Sequence, residues 1–279
     1  MNKFEILISL FLGLVLILCH FGSVSAHNFY NNKDSILFAL VKQFEVEQNL
    51  ASKDFETHSA ASAQHSHDAY RLLKQISSLK SDLQDETKIV EHSNKLFSEL
   101  NLTTKALVAA NLADQSLKEY GFAHGLDNKT ASRLLNMSMG MMMNMPMPST
   151  NKTDGIPIKN NDTLYIRGGK NSTSPIQVSN FITNNITSQV NYESSITLAK
   201  TLKNIFSDNL QHVTLNDSMG LMPIPIEMKK VAVDDLSRGI ENLVVAISEK
   251  RSLEEVSSIL HGQIHPNLFL AYDLKLRAE

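Results

Sequence analysis

Residues 136 to 150 read N-M-S-M-G-M-M-M-N-M-P-M-P-S-T, and this stretch divides the chain in two. Seven of the eleven methionines fall between Met137 and Met147. The stretch has no helical or strand period, and it carries Gly140, Pro146 and Pro148, so its breakers make it a loop. On both sides of it, apolar residues recur at helical spacing. The pattern predicts an all-α fold of two small helical bundles joined by a long Met/Asn/Thr-rich linker.

Upstream, residues 27–124 form the first block. Asp34 is in place to cap a helix that carries Leu37, Leu40, Val41 and Phe44 on one face. A second helix is expected from about Asp54 to Leu79, with Ala61, Ala69, Leu72, Leu73, Ile76 and Leu79 inward. A third starts near Asp85 and turns Ile89, Leu96, Phe97 and Leu100 inward. A fourth presents Ala106, Leu107, Ala110, Ala113, Leu117 and Tyr120, and ends at Gly121, a residue type suited to a helix terminus. Asn101-Leu102-Thr103 either separates the last two or lies within one continuous helix. Short connections favour an up-down bundle.

Residues 125–187 read as the linker, Met-rich first and then rich in Asn, Thr and Ser. Leu164-Tyr165-Ile166 and Ile176-Gln177-Val178 are placed to form a short hairpin around Gly168-Gly169. Residues 188–279 form the second block. One helix from about Tyr192 buries Ile196, Ala199, Leu202, Phe206 and Leu210. The next, ending near Glu249, buries Val233, Leu236, Ile240, Leu243, Val244 and Ile247. Ser252 with Glu255 forms a capping box for a helix that buries Leu253, Val256 and Leu260. Pro266 breaks or kinks it. A last short helix holds Leu268, Ala271, Tyr272 and Leu274.

Residues 1–26 carry the pattern of a secretory signal peptide: Lys3, a continuous apolar run from Ile6 to Cys19, and the small-residue site Val24-Ser25-Ala26. The alternative is an uncleaved membrane anchor. Cleavage leaves His27 first and removes Cys19, the only cysteine. The mature chain then has no disulfide, no thiol nucleophile and no Cys-based metal site. Net charge is −3, and loss of Lys3 with Glu5 leaves it unchanged. That balance offers no basic field for nucleic acid. Eight N-x-S/T sequons, at Asn101, Asn128, Asn136, Asn151, Asn161, Asn171, Asn185 and Asn216, make an exported chain a candidate glycoprotein.

The chemistry centres on sulfur and imidazole. The thioether is a soft, uncharged ligand, and soft ligands select Cu(I). Met137, Met139, Met141, Met142, Met143, Met145 and Met147 are therefore candidate copper ligands. Leu135 to Met142 is echoed by Leu215 to Met222 at six of eight positions, which adds Met219 and Met222. The competing readings are that methionine fills an irregular gap between helices or that the linker composition has drifted. His58 and His65 lie two helical turns apart, with Asp68 near, and imidazole suits Cu(II). His261 and His265 stand at i and i+4, as metal-ligand spacing or as a helix terminus ahead of Pro266.

Gly262 occupies the position where a zincin motif needs its general-base Glu, and no Glu-x-x-His pair occurs. No nucleophile–base constellation appears at motif spacing. A non-catalytic protein is the expectation.

Three patterns carry a resemblance. They are Y-x-x-x-I-x-x-A-x-x-L from Tyr192 to Leu202, L-x-x-x-I-x-x-L-x-x-A-I from Leu236 to Ile247, and L-E-E-V from Leu253. They resemble the helical extracytoplasmic domains of iron-permease-like metal-uptake proteins, over about 80 residues, without that family's carboxylate-rich metal motif. The whole chain, with its leader and I-H-P-N-L-F-L-A-Y ending from Ile264, resembles secreted helical proteins of ammonia-oxidising archaea of unassigned role. The export pattern and the Met-rich loop lead to the expectation of an extracytoplasmic metal-handling protein, copper favoured, with a metal ion and a cell-envelope or membrane protein as partners. The alternative is a glycosylated structural or interaction module of the cell envelope.

Overall fold

A computed structural model describes residues 29–56, 58–80, 95–135, 165–166, 176–177, 186–215 and 224–276. Its fold is all-α. Helix α1 spans Lys33–Asp54 and α2 spans Ser59–Leu79. Helix α3 is Leu102–Ala123, α4 Asn128–Leu135 and α5 Gln189–Asn209. Helix α6 is Ile226–Ser248 and α7 Leu253–Ile259. A π-helical turn over Leu260–Ile264 leads into α8, His265–Tyr272. Strand β1, Tyr165–Ile166, pairs antiparallel with β2, Ile176–Gln177, where the hairpin was expected.

Side-chain caps set most helix starts. The α1 cap is Asn32, whose side chain accepts from the Ser35 amide at 2.7 Å; Asp34 lies inside the first turn instead. Asn101 accepts from the Thr104 amide at 2.8 Å and so starts α3, which makes that position a break rather than a continuation. Ser252 caps α7 through the Glu255 amide at 3.2 Å.

Three boundaries differ from the sequence reading. Helix α1 runs on to Asp54, and α2 begins only at Ser59. Helix α3 continues past Gly121, and Gly125 takes the left-handed turn with φ +82. Helix α4 falls where linker was expected. Asp127 accepts from the Thr130 amide at 2.7 Å to start it, and it buries Ala131, Leu134 and Leu135. Eight residues are too short for their period to stand out beside the Met-rich stretch.

The two helical blocks share one core, with α3 at its centre. Helix α5 lies along α3. The Ser116 hydroxyl donates to the Ser195 carbonyl at 2.9 Å, and the Ser195 hydroxyl donates to the Ser116 carbonyl at 2.8 Å. Such a reciprocal pair satisfies two buried hydroxyls and lets the small residues bring the helices close. The Tyr120 hydroxyl donates to the Arg251 carbonyl at 2.5 Å, which ties α3 to the turn before α7. The first and last described segments meet too. Phe29 bridges to Leu276, and the Tyr30 amide donates to the Lys275 carbonyl at 2.7 Å. Among the described residues, no helix is long and apolar enough to cross a membrane.

Helix α6 meets the π-helical turn at Gly239. A Cβ there would stand 2.9 Å from the Gln263 Cβ and 3.3 Å from the Gln263 backbone. Gly239→Ala should therefore lose about 1–3 kcal/mol to crowding, offset by about 1 kcal/mol of helix propensity. The expected net result is a lower urea midpoint. An unchanged or higher midpoint would show that α6 and the turn can separate without loss.

Candidate metal centre

The inward stripe of α1 does not stop at Phe44. Continued at three- and four-residue steps, it reaches Glu47, Ala51 and Asp54, so two carboxylates two turns apart face the interior. Helix α2 packs along α1 and is fastened to it by the Ser62 hydroxyl, which donates to the Ala51 carbonyl at 2.8 Å. One turn further, His65 is fully buried. Helix α5 contributes Glu193 from near its start.

These side chains converge. His65 Nδ1 lies 2.7 Å from Glu47 Oε2. On the other side of the ring, Nε2 lies 3.8 Å from Asp54 Oδ2 and 3.6 Å from Glu193 Oε2. One donor atom from each of Asp54, His65 and Glu193 lies within 4.8 Å of the others. Those contacts are too long for hydrogen bonds. Asp54 Oδ2, His65 Nε2 and Glu193 Oε2 are all buried with no hydrogen-bond partner in the structure. Native interiors rarely leave three polar atoms unsatisfied in one place. A cation between them satisfies all three at once.

Glu47 gives the ring its orientation. Paired at Nδ1, Glu47 favours the N–H on that nitrogen and leaves Nε2 facing Asp54 and Glu193. Metal-binding histidines commonly have such a carboxylate behind them. Burial works against a charged His65 ring, but the Glu47 hydrogen bond and the negative charges of Glu47 and Glu193 outweigh it, and the pKa is raised. Without an ion, a proton on His65 offsets part of the surrounding negative charge. Binding an ion at Nε2 must displace that proton.

Glu119 on α3 belongs to the same acidic surroundings. Desolvation first, and then the Glu47 charge, push its carboxyl up to about 7, against a hydrogen bond from Gln115 at 2.7 Å.

The histidines singled out by spacing separate in space. His65 is in the centre. His58 is exposed and occupies the position before α2. Asp68 accepts from Gln64 at 2.9 Å and pairs with Arg71, outside the centre. His261 and His265 do come together, rings edge-on with centroids 5.3 Å apart. Their nitrogens serve different partners, however. His261 Nε2 lies 3.1 Å from the Leu134 carbonyl on α4. His265 Nε2 lies 2.8 Å from Asp114 Oδ1 on α3, an ion-pair contact without full hydrogen-bond alignment. Met137, Met139, Met141, Met142, Met143, Met145, Met147, Met219 and Met222 lie outside the described residues.

Spacing motifs did not point to Glu47, Asp54 or Glu193. The available signal was of another kind: each carboxylate sits in register with a core-facing apolar stripe, Glu193 three residues before Ile196. A carboxylate inside such a stripe is either paired or a ligand.

The Glu119 shift sets a pH dependence. Between about 4.5 and about 7 the folded protein keeps a proton on Glu119 that the unfolded chain has released. Stability therefore falls as pH rises through that window, and the raised His65 pKa acts in the same sense just above it. Glu119→Gln should flatten the fall and raise the urea midpoint at pH 8 relative to the parent. Parallel midpoint–pH profiles for the two proteins would show that Glu119 is solvated instead.

Comparison with known protein families, with curated proteins and with solved structures finds no match for this chain.

Proposed function

We propose that this is an exported, extracytoplasmic metal-handling protein that holds one divalent ion between Asp54, His65 and Glu193. The observation that carries the reading is the convergence of three buried donor atoms without hydrogen-bond partners, with Glu47 behind the imidazole. Two carboxylates and one neutral imidazole balance a doubly charged ion, and such donors suit divalent ions of the zinc, iron and manganese kind. The export pattern over residues 1–26 supports an extracytoplasmic setting.

The copper reading of the Met-rich stretch is a separate proposal on a separate ligand set. Seven thioethers within eleven residues favour a soft ion. The two carboxylates at the buried centre do not. A chain that carries both would handle ions of two kinds. The alternative, a cell-envelope interaction module, requires neither.

Titration of the purified, chelator-treated protein with Zn2+ should give one tight site per chain, with proton release on binding. At a free ion concentration of 100 times Kd, the ion should add about 2.7 kcal/mol of stability. His65→Ala should abolish the site. Met-to-Leu changes across Met137 to Met147 should leave it intact, while removing any Cu(I) binding measured anaerobically against a chelator. A wild-type protein that binds neither ion would leave the interaction-module reading standing.

A further inference from the structure

We infer that the buried centre is a four-coordinate site of the zinc type, with Asp54, His65 and Glu193 as its three protein ligands and the fourth position open to one small exogenous ligand. This rests on the metal-binding reading above and specifies the ion and its coordination.

Donor spacing carries the first part of the argument. Zn–N and Zn–O distances are about 2.0–2.2 Å, so ligand atoms around a tetrahedral ion stand about 3.3–3.6 Å apart. Octahedral Mg2+ at about 2.0–2.1 Å needs neighbouring ligands about 2.9 Å apart. The observed separations from His65 Nε2 are 3.6 and 3.8 Å. For these two pairs a contraction of a few tenths of an ångström reaches the tetrahedral spacing, and the Asp54–Glu193 pair lies within 4.8 Å. The octahedral spacing demands that two helices and the start of a third close by much more.

Burial carries the second part. An octahedral ion with three protein ligands needs three waters. His65 is fully buried, Asp54 is 6% exposed, and their ligand atoms are shut off from solvent. Glu193 Oε2 is shut off as well, and Glu193 is the most exposed of the three side chains, at 25%, so a single small ligand entering beside it is the most the site can admit. Ca2+ is disfavoured on both grounds, since it takes six to eight oxygens.

Donor chemistry carries the third part. No thiolate or thioether lies among the three ligands, so Cu(I) has no soft partner here, and Cu(II) favours a tetragonal arrangement over this three-cornered one. Three protein ligands and one open position is the form in which zinc keeps a water or substrate. Glu47 touches the ring and not the ion, and acts as a positioning residue.

The test uses the full-length protein loaded with Co2+, whose visible absorption is strong when four-coordinate and weak when six-coordinate. We expect one equivalent of Co2+ to give strong bands, one equivalent of Zn2+ to erase them, and a small anion such as azide to shift them. Asp54→Asn should lose the bands while its circular dichroism stays that of the parent. Glu47→Gln should keep the band shape and weaken affinity about 10–100-fold. Weak six-coordinate bands, or Mn2+ binding as tightly as Zn2+, would overturn the four-coordinate assignment and leave a metal-binding protein. Absence of both Co2+ and Zn2+ binding would overturn the metal reading itself.

Discussion

Helix α3 is buried on nearly every face, and the rest of the fold is arranged to cover it. Ala106, Val108, Ala109, Ala110, Leu112, Ala113 and Leu117 are all fully buried, on all sides of the helix. A helix apolar all round cannot lie on a surface. It needs neighbours on every side, and one half of the chain does not have enough of them. Helix α1 covers one side, with α2 packed behind it. Helix α5 covers another, through the interlocked Ser116 and Ser195. The π-helical turn and α8 close a third, where Asp114 meets His265. The alanines let these neighbours approach closely, and Ser116 and Asp114 each meet a residue on a specific one. The two halves are thereby fixed against each other.

The candidate metal centre is a by-product of that arrangement and also a charge against it. Packing α1 and α5 on α3, and α2 against α1, brings Glu47, Asp54, His65 and Glu193 into one largely buried, acidic cluster. Buried carboxylates are costly unless paired or bound to a cation. Here Glu47 is paired, through His65, while Asp54 Oδ2 and Glu193 Oε2 have no hydrogen-bond partner. Fold stability alone does not account for such a cluster, because apolar residues of similar size would pack without the penalty. Perturbed groups gathered in one place are the ordinary mark of a functional site, and the raised His65 and Glu119 pKa values belong to that mark.

Much of the architecture was legible because helices announce themselves locally. The stripe Leu37, Leu40, Val41, Phe44 needs only near neighbours to be read, and the same holds for Ser252 and Glu255. Boundaries were less legible where two readings share one residue. Asp34 and Asn32 are both good caps, and the choice depended on Asn32 also donating to Thr104 on α3 at 2.9 Å. Gly121 looked like a terminus. In fact it lets Leu126 and Leu134 pack against α3, while Gly125 makes the turn.

By itself the sequence determined helix content, the division into an upstream and a downstream block, and most of the faces that turn inward. These follow from a periodicity that each segment carries within itself. It also marked His65 as a residue on an apolar stripe. Only the tertiary structure decided that the two blocks share one core, that His65 and not His58 is buried, and that His65 stands between Glu47 on one side and Asp54 and Glu193 on the other. Glu193 is 128 positions from His65. Side chains from three helices have no common spacing for a motif to capture, since their meeting depends on how α5 packs along α3 and not on any repeat within α1, α2 or α5.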